Sequence, residues 1–272
     1  MLRSLYSGVS GMKGFQTKLD VIGNNIANVN TIGFKSGRVM FKDIMSQTIA
    51  GVTPPTDDTQ GGVNAKQIGL GVSIGSIDTL HLAGSAMTTN NPTDLRIDGD
   101  GFFLVSMGGE QEVPFLTRAG DFHVDAARNL VTSDGLYVLD SGNAIINIAE
   151  DVTAFSIAQD GTIIQKLADG TTTPGVQLGI GKVINPEGLE KIGGNLYRVT
   201  LNATADGGIE AVTANDSVAG TGAVIAGQLE MSNVDLTSEF TEMIIAQRGF
   251  QANSRIITTS DEILQEVVNL KR

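Results

Sequence analysis

The sequence predicts a mixed α and β fold: N- and C-terminal helices forming a coiled-coil-like inner layer, with a mainly β central domain. Three observations carry that prediction. Apolar residues recur at seven-residue spacing at both ends of the chain, the mark of a helix-packing stripe. From about residue 69 to 230 the pattern changes to period two, broken by Asp-Gly pairs at 98–99, 100–101, 134–135, 160–161, 169–170 and 206–207, as expected of short strands joined by turns. Gly is abundant, 34 of 272 residues, which suits turns better than continuous helix. The domain boundaries that follow are 1–29 plus 232–272 for the helical terminal domain, 30–68 for a linker or hinge, and 69–231 for the β-rich outer domain.

At the N-terminus Leu5, Met12, Leu19 and Ile26 fall seven apart, and Phe15, Ile22 and Val29 fill the second seam position. Taken alone, such a stripe also fits one amphipathic helix on an ordinary core. The segment is a weak helix former, because Gly8, Gly11, Gly14 and Gly23 each cost about 1 kcal/mol relative to Ala in a helix interior. It is therefore expected to be helical only when packed. Those glycines also let another backbone approach closely. At the C-terminus Leu236, Met243, Phe250, Ile257 and Leu264 are seven apart, and Ile256, Ile263 and Leu270 extend the stripe. The companion seam is small or polar: Ala246, Asn253, Ser260, then Val267. This helix is expected to begin near Ser232 or Asn233 and run to the end. Two such stripes at opposite ends of one chain suggest that the termini pack together and face other helices, so these positions form the candidate assembly interface.

Between the helices, Asn30, Thr31, Ile32 and Gly33 have turn chemistry. A short amphipathic piece from Val39 to Ile49 precedes a loop at 51–62 rich in Gly, Pro, Thr and Asp. Only Val52 and Val63 flank the 53–62 stretch, so this loop is expected not to stiffen any assembly. Residues 155–165 read as a β-hairpin with a type I′ turn at Asp160-Gly161.

The net charge is −12. Residues 1–43 carry six basic against two acidic side chains, residues 235–272 four against six, and the middle eight against 22. An acidic body without a basic cluster argues against nucleic acid and against anionic membrane surfaces. No stretch approaches 18 apolar residues, so no membrane insertion is expected. The N-terminus lacks the apolar run and small-residue cleavage site of a secretory signal. The chain has no Cys, which excludes disulfides, thiolate metal sites and a Cys nucleophile.

Catalytic patterns fail one by one. His81 and His123 have no metal-binding partner at helical spacing. Gly69, Gly71 and Gly75 place the third glycine of a dinucleotide loop one position late. Gly181-Lys182 is followed by Val183, not Ser or Thr, which breaks a phosphate-cradling loop. Asp98-Gly-Asp100-Gly lacks the remaining ligands of a calcium loop. No catalytic residue, cofactor or metal is assigned, and an enzyme is not expected.

Two long segments carry a resemblance. LDVIGNNIANVNTIGFK at 19–35 and SNVDLTSEFTEMIIAQRGFQANS at 232–254, the latter followed by TSDEIL at 259–264, resemble the terminal signatures of bacterial flagellar rod and hook proteins. Within them Asn24, Asn25, Asn28, Asn30, Thr31, Gly33, Phe34 and Lys35, and then Gln247, Arg248, Gln251 and Asn253, are the signature residues. IDGDGFFL at 97–104 and TRAGDFHV at 117–124 resemble the β-domain of the same family. The resemblance implies a non-enzymatic subunit of a helical homopolymer, with both terminal helices in an inner layer. It implies adjacent rod and hook-filament junction proteins as partners, a hook cap during assembly, and export by the flagellar type III apparatus without a cleaved signal to an extracellular place in the hook or basal body. A family member that caps or adapts the filament without polymerising would share both stripes. The wording of 23–28 and 33–38 is similar to hook proteins, which makes a flexible hook subunit the expectation. The length and the polar loop are similar to distal rod proteins, the alternative.

Overall fold

A computed structural model of the chain describes residues 2–55, 61–108, 113–204 and 207–270. The 53–62 loop and the turn at 206–207 therefore lie partly outside the described residues. The chain forms two compact units, each assembled from non-contiguous pieces: one from residues 1–27, 37–79 and 235–272, the other from 28–36 and 80–234.

The first unit contains both helices, α1 (Leu2–Ala27) and α2 (Leu236–Asn269). Asp235 caps α2: its side chain accepts from the Thr237 backbone N–H at 3.0 Å, satisfying a donor that the helix cannot pair itself. The cap sets the start at Leu236, four residues after Ser232 and three after Asn233. Val29, expected on the N-terminal stripe, lies beyond the end of α1.

The helices run antiparallel. Gly8 lies beside Ile257, Gly11 beside Asn253, and Phe15 beside Gly249. Lys18 pairs with Glu242 at 2.6 Å, and Asn25 donates to Glu239 at 3.0 Å. The small companion seam is the deepest part of the contact: Ala246 and Ser260 are the buried residues of α2. A Cβ on Gly249 would lie 2.6 Å from the Phe15 ring, and one on Gly11 2.9 Å from the Asn253 amide. Glycine is thus present where a side chain of the other helix lies directly against the backbone.

Residues 37–79 differ from the expected linker. They form an antiparallel ribbon from β1 (Gly37–Asp43), β2 (Ser46–Ala50), β3 (Lys66–Gly69) and β4 (Val72–Thr79). β1 pairs with β4 from Gly37 opposite Thr79 to Asp43 opposite Val72, and β2 pairs with β3. Hydrogen bonds from Ile44 to Gly71 and from Leu70 to Met45 join the two pairings, and a bridge at Thr53 and Val63 continues them toward the tip. α1 packs on the base of the ribbon. A Cβ on Gly14 would lie 2.8 Å from the Phe41 ring, and the Val72 N–H donates to Ser10. So α1 is held between α2 and β1–β4, and its glycines serve both contacts.

The second unit is the β body. Its largest sheet runs in the order Glu190–Gly193, Leu196–Arg198, Phe115–Thr117, Phe102–Ser106, Tyr137–Val138, Leu130–Thr132, Phe122–Val124, with Ile180–Gly181 also on Phe102–Ser106. The strand Phe102–Ser106 is buried on both faces. Phe103 and Val105 enter one hydrophobic cluster with Leu95, Phe122 and Val138, while Phe102 and Leu104 enter another with Leu116 and Tyr197. Period two thus distributes one apolar run between two cores. The hairpin at 152–167 forms as expected, with Ile157 opposite Ile163. Its turn is not type I′: Gly161 alone has positive φ, +78°, and Asp160 does not. A type I′ turn needs positive φ at both central residues.

Candidate assembly interface

The expected interface positions fall into two groups in the first unit. Ile22 is buried, and Leu5, Met12, Phe15, Leu19, Ile26, Met243, Ile257 and Leu264 are half-buried. Several of them lie along the contact of α1 with α2, so one chain already engages much of the seven-residue stripe. Leu236 and Phe250 remain exposed. Large apolar side chains off the main stripe are also exposed: Phe240, Ile244, Ile245, Ile256, Ile263 and Val268 on α2, and Tyr6 and Val9 on α1. Exposed large apolar side chains in this number on two helices are candidates for contacts with other chains.

The ribbon adds a second such surface, which sequence reasoning missed. In β2 and β3, Gln47 lies opposite Ile68 and Met45 opposite Leu70. Met45, Gln47, Ile68 and Leu70 therefore share one face, and Ser46, Thr48 and Gln67 the other, up to a register shift between Thr48 and Ala50. Met45, Ile49 and Ile68 are exposed. The 53–62 loop, which lies partly outside the described residues, joins strands whose neighbourhood carries these exposed apolar side chains. The segment Met45-Ser-Gln-Thr-Ile49 carries no period-two signal, because Gln47 stands where alternation would place an apolar residue.

The signature residues also separate. Asn25 is buried. Its amide group donates to the Gly37 carbonyl and accepts from the Gly37 N–H, both at 2.9 Å, fixing β1 to α1. Its bond to Glu239 leaves that carboxyl above its ordinary range, since burial outweighs the Asn25 hydrogen bond. Asn253 folds back onto the Gly249 carbonyl. Asn24, Gln247, Arg248 and Gln251 are exposed on the helices.

The rest of the N-terminal signature belongs to the β body. Thr31 donates to Asn28 at 3.1 Å, and Asn30 and Thr31 line an open cleft of about 350 Å³. Gly33, Phe34 and Lys35 are buried. Lys35 Nζ lies 2.6 Å from Glu230 Oε1, and Arg118 lies 3.3 Å from Glu230 Oε2. Lys35, Arg118 and Glu230 are 0 %, 4 % and 1 % exposed. Burial pushes the Glu230 carboxyl up, but Arg118, Lys35 and the Gly84 N–H outweigh it and hold it below the usual carboxylate range. Arg118 also donates to the Gly99 carbonyl and lies over the Phe102 ring. Glu230 and Arg118 were not picked out from sequence as partners of Lys35. No signal in a single chain links positions this far apart.

Among the described residues, no group of His, Asp and Glu side chains could hold a metal ion, and no helix is long and apolar enough to cross a membrane.

Comparison with known proteins covers the whole chain. Residues 5–35 match the flagella basal body rod protein family, 96–165 the flagellar hook protein FlgE/F/G D1 domain, and 225–270 the flagellar basal body rod FlgEFG protein C-terminal family. The flagellar basal-body rod protein FlgG of Bacillus subtilis is 57% identical over 100% of both chains. That of Borreliella burgdorferi is 36% identical over 100% of both. The flagellar hook protein FlgE of Borreliella burgdorferi is 29% identical, across an alignment of 450 positions that covers 100% of both. The chain belongs to the FlgE/F/G family of flagellar rod and hook proteins, structural subunits of the flagellar axis and not enzymes.

Proposed function

We propose that this chain is a distal rod subunit, polymerising into the rigid part of the flagellar drive shaft; the hook expectation gives way to its alternative. The collinear 57% match to a basal-body rod protein over the full length of both chains carries the reading. The hook relatives are aligned over 450 and 472 positions, so they contain segments for which this chain has no counterpart. The ribbon supports the same side. A hook bends because its subunits slide, whereas an apolar ribbon face that buries itself on a neighbouring copy opposes sliding. Two-stranded ribbons are marginal alone in water, which favours an occupied face in the polymer. The neighbours are further copies of the chain and adjacent axial proteins, with a type III route of export that needs no cleaved signal.

Electron microscopy of polymers formed by the intact chain and by a variant lacking residues 46–69 tests this. Straight tubes from the intact chain that become curved on deletion are the expected result. Curved, flexible tubes from the intact chain would return the reading to a hook subunit.

A further inference from the structure

The β body is made of residues 80–234 and one detached piece of nine residues, Asn28–Ser36. That piece joins α1 to β1 in the chain. Its attachment is dense for its length. The Gly33 N–H donates to the Glu230 carbonyl at 2.8 Å, and the Ser36 N–H to Asn233 Oδ1 at 2.8 Å. The Leu80 N–H donates to the Ser36 carbonyl, Asn195 to the Ile32 carbonyl, and Lys191 to the Lys35 carbonyl. Lys191 also lies 5.0 Å from the centre of the Phe34 ring. Gly33 adopts φ +68°, and a Cβ there would fall 2.6 Å from the Ala119 nitrogen. At the centre, Lys35 reaches Glu230 and the Leu82 carbonyl, in a site where its side chain has no contact with solvent.

The body supplies a counter-charge, amide acceptors and a backbone-sized gap, all matched to this one stretch. The neighbouring helix is built differently. α1 contains Gly8, Gly11, Gly14 and Gly23, and a helix with that many glycines depends on tertiary contacts for its stability. Local stability within one protein follows such differences in burial and hydrogen bonding.

We propose that Asn28–Ser36 is a docking arm, held in the β body by the Lys35–Glu230–Arg118 cluster and independent of the folding of α1. A subunit whose terminal helices are unfolded still has its N-terminal segment anchored beside strand Gln228–Glu230, from which the chain runs on to α2. The inference rests on the socket and not on the distal rod reading, so either can fail alone.

Hydrogen exchange of the full chain, at dilution where sedimentation shows a monomer, tests it. The amides of Gly33 and Ser36 should be protected to within about tenfold of Phe103 in the body, while those of α1 exchange at least about 100-fold faster. In Glu230→Gln, which leaves two buried cations without an anion, protection at Gly33 and Ser36 should fall roughly 100- to 1000-fold. Lys35→Met keeps the Glu230–Arg118 pair, so the body remains folded, and should release the arm alone. Two results would overturn the proposal: Gly33 and Ser36 exchanging at the rate of α1 in the unmodified chain, or retaining full protection in Lys35→Met.

Discussion

Acidification should weaken the β body through His81. The imidazole sits edge-on between Phe102 and Tyr197, with ring centres 5.6 and 5.4 Å away. Its Nδ1 is buried without a hydrogen-bond partner. Burial, with Lys35, Lys191 and Arg118 nearby, lowers its pKa from 6.5 to about 4. The folded state therefore refuses a proton that the unfolded chain accepts. Stability is highest above pH 6.5, falls as the pH drops toward 4, and levels off below that. The full shift corresponds to about 3 kcal/mol; partial solvent contact of the ring reduces the expected loss to about 2 kcal/mol. Glu230 is held below the usual carboxylate range, so its own loss comes at the acid end and is separable. The assay is denaturant unfolding of the β body between pH 7 and 4, in the unmodified chain and in His81→Phe, which fills the aromatic site without titrating. The variant should lose the slope between pH 6.5 and 4. Equal slopes in both proteins would refute the assignment.

Three further outcomes are expected. Gly23→Ala, where an added Cβ meets nothing within 4 Å, should stabilise α1 by about 1 kcal/mol, whereas Gly249→Val, aimed at the Phe15 ring, should cost about 1–3 kcal/mol; helix content by circular dichroism in assembled protein should rise in the first and fall in the second. Asn25→Ala strands both the N–H and the carbonyl of Gly37 and should cost the helical unit about 2–3 kcal/mol, measured by its thermal unfolding with the β body unchanged. Leu19→Glu or Leu264→Glu puts an unpaired charge in a half-buried seam and should abolish sedimentable polymer while the β body unfolds at its usual denaturant concentration.

The helices, the period-two body and the hairpin at 152–167 were legible because each leaves a local periodic trace. The small seam Ala246, Asn253 and Ser260 was even visible as a seam, and its side chains lie at the closest approach of the two helices. The ribbon was not legible. β1 exposes the adjacent residues Met40 and Phe41, and Met45 and Ile49 are separated by three polar residues, so neither stretch shows the alternation that identifies a half-buried strand, and the Gly- and Pro-rich stretch at 51–62 drew attention to a loop. The signature Gly33-Phe34-Lys35 could be read as important from its resemblance, but not as a buried ionic contact. Its partner Glu230 lies 195 positions away, and only the folded chain brings them together. His81 was set aside as an isolated polar residue, since aromatic neighbours at Phe102 and Tyr197 leave no pattern around position 81.

The pairing of β1 with β4 has an evolutionary consequence. Register is set at the base, where Gly37 faces Thr79 and α1 covers the strands. Among the described residues beyond Ile44 and Gly71, pairing runs from Ser46 opposite Gly69 to Thr53 opposite Val63. Two residues can be added to or removed from both strands at once, and every remaining side chain keeps its face. A single-residue change in each strand would instead turn the apolar side over. Descendants of this sequence can therefore vary the reach of the ribbon in even steps, by mutation at its tip alone, without renegotiating the packing of the helices.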